Sequence, residues 1–423
     1  MLRVLFVSNY YPPSSHGGGF MQLCEEVADG LSARGHAIAV LTSTYCDGDE
    51  IVRSYPVYRL VHIDPDWHSD RSAAQQFFIG RRQRERQAVA HLHQVVAEFR
   101  PDIVFIWHTL GLPRSLLKEA EQLPSTVAAY YLADYVPEFP DEYLTYWQSP
   151  PVHWAAKLFK RPLARIALGM LAREGKPISL EYKNSICVSD YVHRRLVSKK
   201  LIPSGAVVIH NGVDLSCFSP DTRDTSRFLS GHLRFLVAGR IVPDKGIHTI
   251  IEALALLQAR SRLDGITLTI LGDGPADYTA YLRQRVQQCL LQDAIEFRAP
   301  VPREHMPQIL AQHDGLFLAS EYNEPLARAM QEAMAMGLLV IGTTTGGSGE
   351  LLAHEETGLV FEAADSESLA QQLERVAEKP ESAKRLAMAG TQRVIKEFNI
   401  EHTIERIEEY LSLLVCDTDR TPR

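Results

Sequence analysis

Cysteine is scarce in this 423-residue chain, long hydrophobic runs are absent, and positive charge is not in surplus; each shortage removes a class of protein. The six cysteines (Cys24, Cys46, Cys187, Cys217, Cys289, Cys416) include no C-x-x-C pair. A disulfide framework and a zinc-ligand spacing are both excluded, and a reducing cytoplasm fits. No stretch approaches the run of about 18 apolar residues that spans a bilayer. The opening Met1-Leu2-Arg3-Val4-Leu5-Phe6-Val7 is apolar too briefly for a signal-peptide core and reads as a buried strand. Lys and Arg number 44 against 52 Asp and Glu, which argues against nucleic-acid phosphate as the main partner. The deficit is uneven. Residues 1–212 hold 23 basic and 21 acidic side chains and the remainder 21 and 31, so the two halves face different partners.

What is there is a globular chain, 45% apolar and 23% charged, too long for one ordinary core. Leu2 to Ser8 reads as a strand, followed by a turn-rich stretch ending in Gly17-Gly18-Gly19 and a helical pattern from Phe20 to Ala33. A second opening of this kind starts at Leu233 and passes Gly239-Arg240 and Lys245-Gly246 into an Ile/Leu/Ala-rich helix. Between and after them short apolar runs alternate with helical periodicity: Ala37 to Leu41, Ile103 to Trp107, Val127 to Leu132, Ile186 to Val188, Val207 to Ile209, then Thr267 to Leu271, Ile295 to Phe297, Gly315 to Leu318 and Leu338 to Ile341. This rhythm predicts an α/β protein of two Rossmann-like domains, each a parallel sheet covered by helices. The expected boundaries are 1–215, 216–400 and a C-terminal helix with a polar tail at 401–423. A hinge is expected from Asn211 through Ser230, with the active cleft beside it.

Chemistry concentrates in the run from Ser320 to Gly337. Pro325 suits a first helical position and Gly337 the residue after a helix, which predicts about three helical turns with Glu324 at the mouth. Glu332, eight positions on, would then sit about 80° round, so both carboxylates could touch one ligand. The free N–H groups of the helix start suit an anionic phosphate. Arg240 and Lys245 flank a turn whose glycines allow close backbone approach, an arrangement suited to gripping a diphosphate. Gly17-Gly18-Gly19 could cradle another phosphate.

In combination these motifs resemble the retaining GT-B glycosyltransferases of family four, over nearly the whole chain. The family's E-x(7)-E element matches Glu324 and Glu332, its G-R-x-x-x-x-K-G element Gly239-Arg240 through Lys245-Gly246, and its N-terminal glycine loop Gly17 to Gly19. Lesser matches are Val188-Ser189-Asp190-Tyr191, Asn211-Gly212-Val213-Asp214 with Phe218 and Pro220, Leu271-Gly272-Asp273-Gly274-Pro275 and Gly346-Gly347-Ser348-Gly349-Glu350-Leu351. The resemblance implies two domains facing across a cleft, with a nucleotide-diphosphate sugar as co-substrate and no metal or other cofactor. It assigns Arg240 and Lys245 to the donor diphosphate, with help from the amides of Leu326 and Ala327, Glu332 to the ribose, and Glu324 to the transferred hexose. Gly18 and Gly19 would close the phosphate pocket as the domains shut.

Three departures matter. Ala133 stands before Asp134 where many members carry histidine, and Asp134 and His108 are the substitutes considered; the plain alternative is a turn-capping Asp and a surface His. Ala327 and Ala299-Pro300 stand where glycine is common, which bears on the width of the donor pocket. Asp47-Gly48-Asp49 and Asp64-Pro65-Asp66 mimic a metal-binding D-x-D motif but read as turns. The acceptor, a hydroxyl-bearing glycan, lipid-linked saccharide or small molecule, is expected on the first domain. There Arg81 to Arg86 and Trp154 to Arg173, with Lys157, Lys160, Arg161 and Arg165, could contact anionic lipid at the inner face of a membrane. A solvated helix face is the alternative. A Rossmann-type oxidoreductase fails because Gln22 and Asp277 occupy third-glycine positions. A catalytically silent sugar-nucleotide binder stays open. Glu324→Ala and Lys245→Ala are each expected to abolish transfer with folding nearly intact.

Overall fold

A computed structural model of the chain describes residues 1–14, 18–49, 51–65, 69–139, 141–151, 157–219, 228 and 231–420. Gly17, Asp66, Trp154 and Pro220, and most of the expected hinge after Ser219, lie outside the described residues. By its internal contacts the chain divides into Met1–Ile209 with Ile404–Arg423, and His210–Thr403.

The first unit is built on β1 (Arg3–Val7), β2 (Ala37–Ser43), β3 (Val57–Val61), β4 (Ile103–Ile106), β5 (Val127–Leu132), β6 (Ser185–Cys187) and β7 (Val207–Val208). They form one parallel sheet in the order β3-β2-β1-β4-β5-β6-β7. Central strands such as β1 and β4 are buried almost end to end, which is why they read as continuous apolar runs. Helices Gly18–Ala33, Arg81–Phe99, Arg114–Gln122 and Asp190–Ser198 connect the strands. A separate aromatic cluster holds together helices Asp70–Phe78, Glu142–Gln148 and Lys157–Glu174 through Phe77, Tyr143, Tyr146, Trp147, Ala164 and Ala167. The helix expected over Glu401 to Val415 runs from Ile400 to Arg420. Its Ile404, Ile407 and Leu411 are buried, and Glu408 bonds to Arg34 (3.0 Å) and His36 (2.8 Å), which ties this last helix to the first unit.

The second unit carries β8 (Leu233–Ala238), β9 (Ile266–Leu271), β10 (Ile295–Arg298), β11 (Gly315–Leu318), β12 (Leu339–Gly342) and β13 (Leu359–Val360), parallel in the order β10-β9-β8-β11-β12-β13. This order reverses between β8 and β11, as the first sheet's does between β1 and β4. The strand ends at such a reversal leave a crevice where ligands of doubly wound sheets sit. Asn211 to Asp214, expected as the start of a hinge, is fastened into the second unit. Val213 pairs with Asn399, and Gln331 donates to the Asn211 backbone oxygen (3.0 Å) and side-chain oxygen (3.1 Å).

Candidate functional site

In the second unit the residues singled out from the sequence gather beyond the carboxyl ends of β8 and β11. The turn carrying Lys245 is bound to the end of β11 by several contacts. Glu321 N–H donates to the Asp244 carbonyl (2.8 Å), Thr249 Oγ1 donates to Glu321 Oε1 (3.2 Å), and His248 Nε2 lies 3.1 Å from the same oxygen. The Tyr278 hydroxyl, which burial pushes up to about 12, lies 3.0 Å from His248 Nδ1 on the other side of the ring. Gly246 makes the close approach possible: its φ is +63°, and a Cβ there would lie 2.0 Å from the Ala319 carbonyl oxygen.

Lys245 Nζ reaches Glu324 Oε1 at 2.5 Å and also lies 3.3 Å from the Tyr322 hydroxyl. The Glu324 carboxylate, in a residue only 4% exposed, takes two more bonds, from Ser320 Oγ (2.5 Å) and Tyr322 OH (2.5 Å). Its backbone is anchored as firmly. Glu324 pairs with Gly346 in a parallel bridge, its carbonyl accepts from Gly347 N–H (2.7 Å), and a Cβ on Gly346 (φ +65°) would lie 2.1 Å from that carbonyl oxygen. Ser320 is held in turn by Thr343 Oγ1 on its carbonyl (2.7 Å).

This geometry corrects the expected helix. It runs Arg328–Ala335, about two turns, and Pro325 is not its first residue. The bridge to Gly346 keeps the chain extended through Glu324, and Ala327 (φ −76°, ψ 110°) is still non-helical. The angle reckoned from Glu324 to Glu332 along one helix therefore does not apply, and Glu324 precedes the helix start by four residues. The buried residues Leu326 and Ala327 lie in the connecting loop, and among the described residues their N–H groups donate to nothing. Glu332 sits on the helix and receives Arg303 Nη1 at 2.7 Å, with Arg328 Nε 3.9 Å away. Arg303 lies over the Phe218 ring at 5.3 Å. Arg240 stands exposed on the turn after β8.

In the first unit the two substitutes weighed for the absent histidine prove to be partners: His108 Nε2 lies 3.0 Å from Asp134 Oδ2. They follow β4 and β5, adjacent strands, so the sheet itself brings them together. Asp134 also accepts Val136 N–H at 2.8 Å, so its turn-capping role is real as well. Phe20 stacks on the His108 ring with centroids 5.7 Å apart, which sets the His108–Asp134 pair beside the first turn of the helix that opens with Gly18 and Gly19. His108 Nδ1 is buried with no partner among the described residues.

Sequence reasoning gave no role to Ser320, Tyr322, Glu321, His248, Arg303 or Phe20. Ser320, Glu321 and Tyr322 were within reach, lying four, three and two residues before Glu324; the others come from distant segments. Residues outside the site also gain detail. Asp64 sits on a bend, where it is buried and bonded to Arg84 Nε at 2.8 Å. Lys160 and Arg81, which lie in the segments read as able to contact anionic lipid or as solvated helix faces, point inward, Lys160 to Asp70 (3.2 Å) and Arg81 to Glu174.

Residues 219–393 match the family model described as Glycosyl transferases group 1, and residues 17–216 match that described as Glycosyltransferase Family 4. The chain is 24% identical over 424 residues to the GDP-mannose-dependent alpha-(1-6)-phosphatidylinositol monomannoside mannosyltransferase of Mycobacterium tuberculosis, covering 97% of this chain and 98% of the relative. It is 32% identical over 220 residues to the D-inositol 3-phosphate glycosyltransferase of a Nocardioides species, covering 48% and 47%. Among solved structures, Anabaena Alr3699/HepE in complex with UDP superposes with a TM-score of 0.67 at 19% identity, covering 97% of this chain and all of that one. That likeness is one of fold.

Proposed function

The chain belongs to the group 1 glycosyltransferases of family 4, and on that premise we propose that it is a retaining, metal-independent hexosyltransferase drawing on a nucleotide-diphosphate sugar. The observation that carries the reading is the contact of Lys245 with the buried, triply bonded Glu324 at the reversal of a parallel sheet. A cation and a carboxylate held this rigidly can address two parts of one ligand, the leaving diphosphate and the sugar.

In this reading Lys245 turns part of its charge from Glu324 to the diphosphate, and Arg240 swings in from its exposed position. The amides of Leu326 and Ala327 donate to the same oxygens. Charge building on the leaving group is thus met by donors already in place, which lowers the barrier more than it tightens donor binding. Glu324 accepts from a hydroxyl of the transferred hexose, and Glu332, braced by Arg303, accepts from the ribose. The sugar–phosphate bond breaks with oxocarbenium character, and an oxygen of the departing diphosphate takes the proton of the incoming hydroxyl. Attack from the leaving-group face retains the anomeric configuration. On the first unit, His108 and Asp134 serve the sugar in place of the absent histidine, and Gly18 and Gly19 serve the donor phosphates.

The acceptor carries a hydroxyl on a glycan, a lipid-linked saccharide or a small molecule, and the lipid in the mycobacterial relative's name favours a cytoplasmic enzyme working at the inner face of a membrane. Nucleotide release should be followed with UDP- and GDP-hexoses, with and without EDTA, and the product anomer assigned by NMR. Release that is EDTA-insensitive, with slow donor hydrolysis when acceptor is omitted, is expected. A donor that binds but is never cleaved would indicate a silent binder, and an inverted product would overturn the retaining mechanism.

A further inference from the structure

A surface helix of a globular protein needs one apolar stripe; the helix Lys157–Glu174 has two. The first stripe, Lys160, Ala164, Ala167 and Leu171, follows the i, i+4, i+7, i+11 spacing of one helical face. Its Ala164 and Ala167 are buried in the aromatic cluster, and Leu171 packs against that cluster. Lys160 belongs to this inner side, its ammonium 3.9 Å from the Tyr146 ring centroid and 3.2 Å from Asp70. The second stripe points away. Leu158 is 83% exposed, Phe159 67%, Ile166 56% and Met170 39%. Interleaved with them are Arg161, Arg165 and Arg173, all exposed. The contact of Arg81 with Glu174 brings the neighbouring exposed Phe78 and Ile79 to the end of the same helix. Among the described residues, six of the sixteen large apolar side chains that stand exposed thus belong to this one layer of three helices.

Charge identifies the occupant. Residues 151–200 hold 11 basic and 3 acidic side chains in a chain whose net charge is −8. Within the helix the only acid is Glu174, which the Arg81 and Arg82 guanidiniums hold below the usual carboxylate range against the upward push of burial. An apolar stripe with arginines on its flanks and no acid among them fits an interface with apolar depth and anionic oxygens above it. We propose that the outward stripe of Lys157–Glu174 docks the first unit on an anionic bilayer: Phe159, Ile166 and Met170 enter the acyl boundary, and Arg161, Arg165 and Arg173 meet lipid phosphates. The acidic second half of the chain, with 31 acidic against 21 basic residues, is repelled by the same surface, so the docking is one-sided. The inference rests on the proposed function only in supposing that the acceptor is met at that surface; docking itself is independent of it.

Co-sedimentation of the full chain with phosphatidylcholine vesicles, with and without about one-third phosphatidylglycerol, tests it. Binding is expected only to the anionic vesicles and should weaken steeply as salt is raised. Ile166→Glu and Met170→Glu should each cut the partition at least tenfold, and Arg165→Glu by fivefold or more, from the value of about 1 kcal/mol per juxtamembrane cation. Leu290→Glu, at a still more exposed position in the second unit, should change nothing. Ile166→Gln serves if the glutamate variant unfolds. Equal binding to neutral and anionic vesicles, unchanged binding in the Ile166 variants, or a soluble dimer that those variants dissolve would each overturn the proposal. Donor hydrolysis in the same samples separates the two readings: it stays at wild-type level in docking variants, whereas a wild type that docks but never cleaves a donor overturns the proposed function alone.

Discussion

Lys245→Ala should damage folding as well as turnover, because Glu324 is not a solvent-facing cleft residue. At 2.5 Å and an effective dielectric of about 20 the two charges attract by about 7 kcal/mol before desolvation. Most of that is offset by the cost of taking them out of water. Breaking a fully buried pair typically costs about 3–5 kcal/mol. Here the Lys245 side chain keeps 24% of its exposure, so a loss of about 2 kcal/mol is expected. For a unit of this size that lowers the melting temperature by roughly 4–8 °C. The charge left behind is the cause, so Lys245→Ala/Glu324→Gln should regain most of the loss while turnover stays about 10²–10³-fold down, the range for deleting one preorganised donor. Scanning calorimetry and nucleotide release on wild type, both single variants and the double variant give the full cycle. An unchanged melting temperature in Lys245→Ala, or no recovery in the double variant, would show that the pair is not coupled, and turnover within tenfold of wild type would remove Lys245 from the chemistry.

Gly246→Ala should cost at least about 2 kcal/mol, since its Cβ would meet the Ala319 carbonyl oxygen, whereas Gly231→Ala, at φ +73° with no atom within 4 Å, should cost about 1 kcal/mol; equal losses in urea titrations would refute the close approach. His108→Asn and Asp134→Asn should each slow transfer at least tenfold with little change in donor affinity, and the double variant should be no worse than either, a result that additive losses would contradict. Burial raises the Glu142 carboxyl to about 7. Its folded value lies above the unfolded one, so its contribution to stability is complete below about pH 4.5 and is lost as pH rises through about 7. Melting curves from pH 5 to 8 should show that decline in wild type and a flatter profile in Glu142→Gln; parallel profiles would contradict it.

How far the fold could be read depended on burial. Val127 to Leu132 and Gly315 to Leu318 were legible to the residue as β5 and β11, and the other central runs to within one or two residues, because strands covered on both faces are nearly all apolar. The two strands that escaped notice, β3 and β13, are edge strands. In β3 four of the five residues are only half-buried, and Arg59 interrupts the apolar pattern because its guanidinium turns to the carbonyls of Tyr11, Pro12 and Tyr45. Lys160 misled in the opposite direction: a lysine between apolar residues reads as part of an outward basic stripe, and only the fold shows Asp70 and Tyr146 waiting for it on the inner side.

At the site, spacing picked out Glu324 and Glu332 as a pair to examine, but the geometry assigned to that spacing was wrong. One helix was expected to carry both. Instead Glu324 is held by a backbone bridge to Gly346, twenty-two residues on, and Glu332 by Arg303, twenty-nine residues back. The eight-residue interval is therefore fixed by two unrelated anchors, a strand-like segment before the helix and a cation from a different loop. No periodicity in the local sequence encodes either anchor. The arrangement has a physical consequence that a continuous helix would lack. With the chain extended through Glu324 and the helix delayed to Arg328, the N–H groups of Leu326 and Ala327 donate to nothing among the described residues, and in the proposed function it is this interruption, rather than a helix mouth at Pro325, that would offer an anionic ligand its backbone donors.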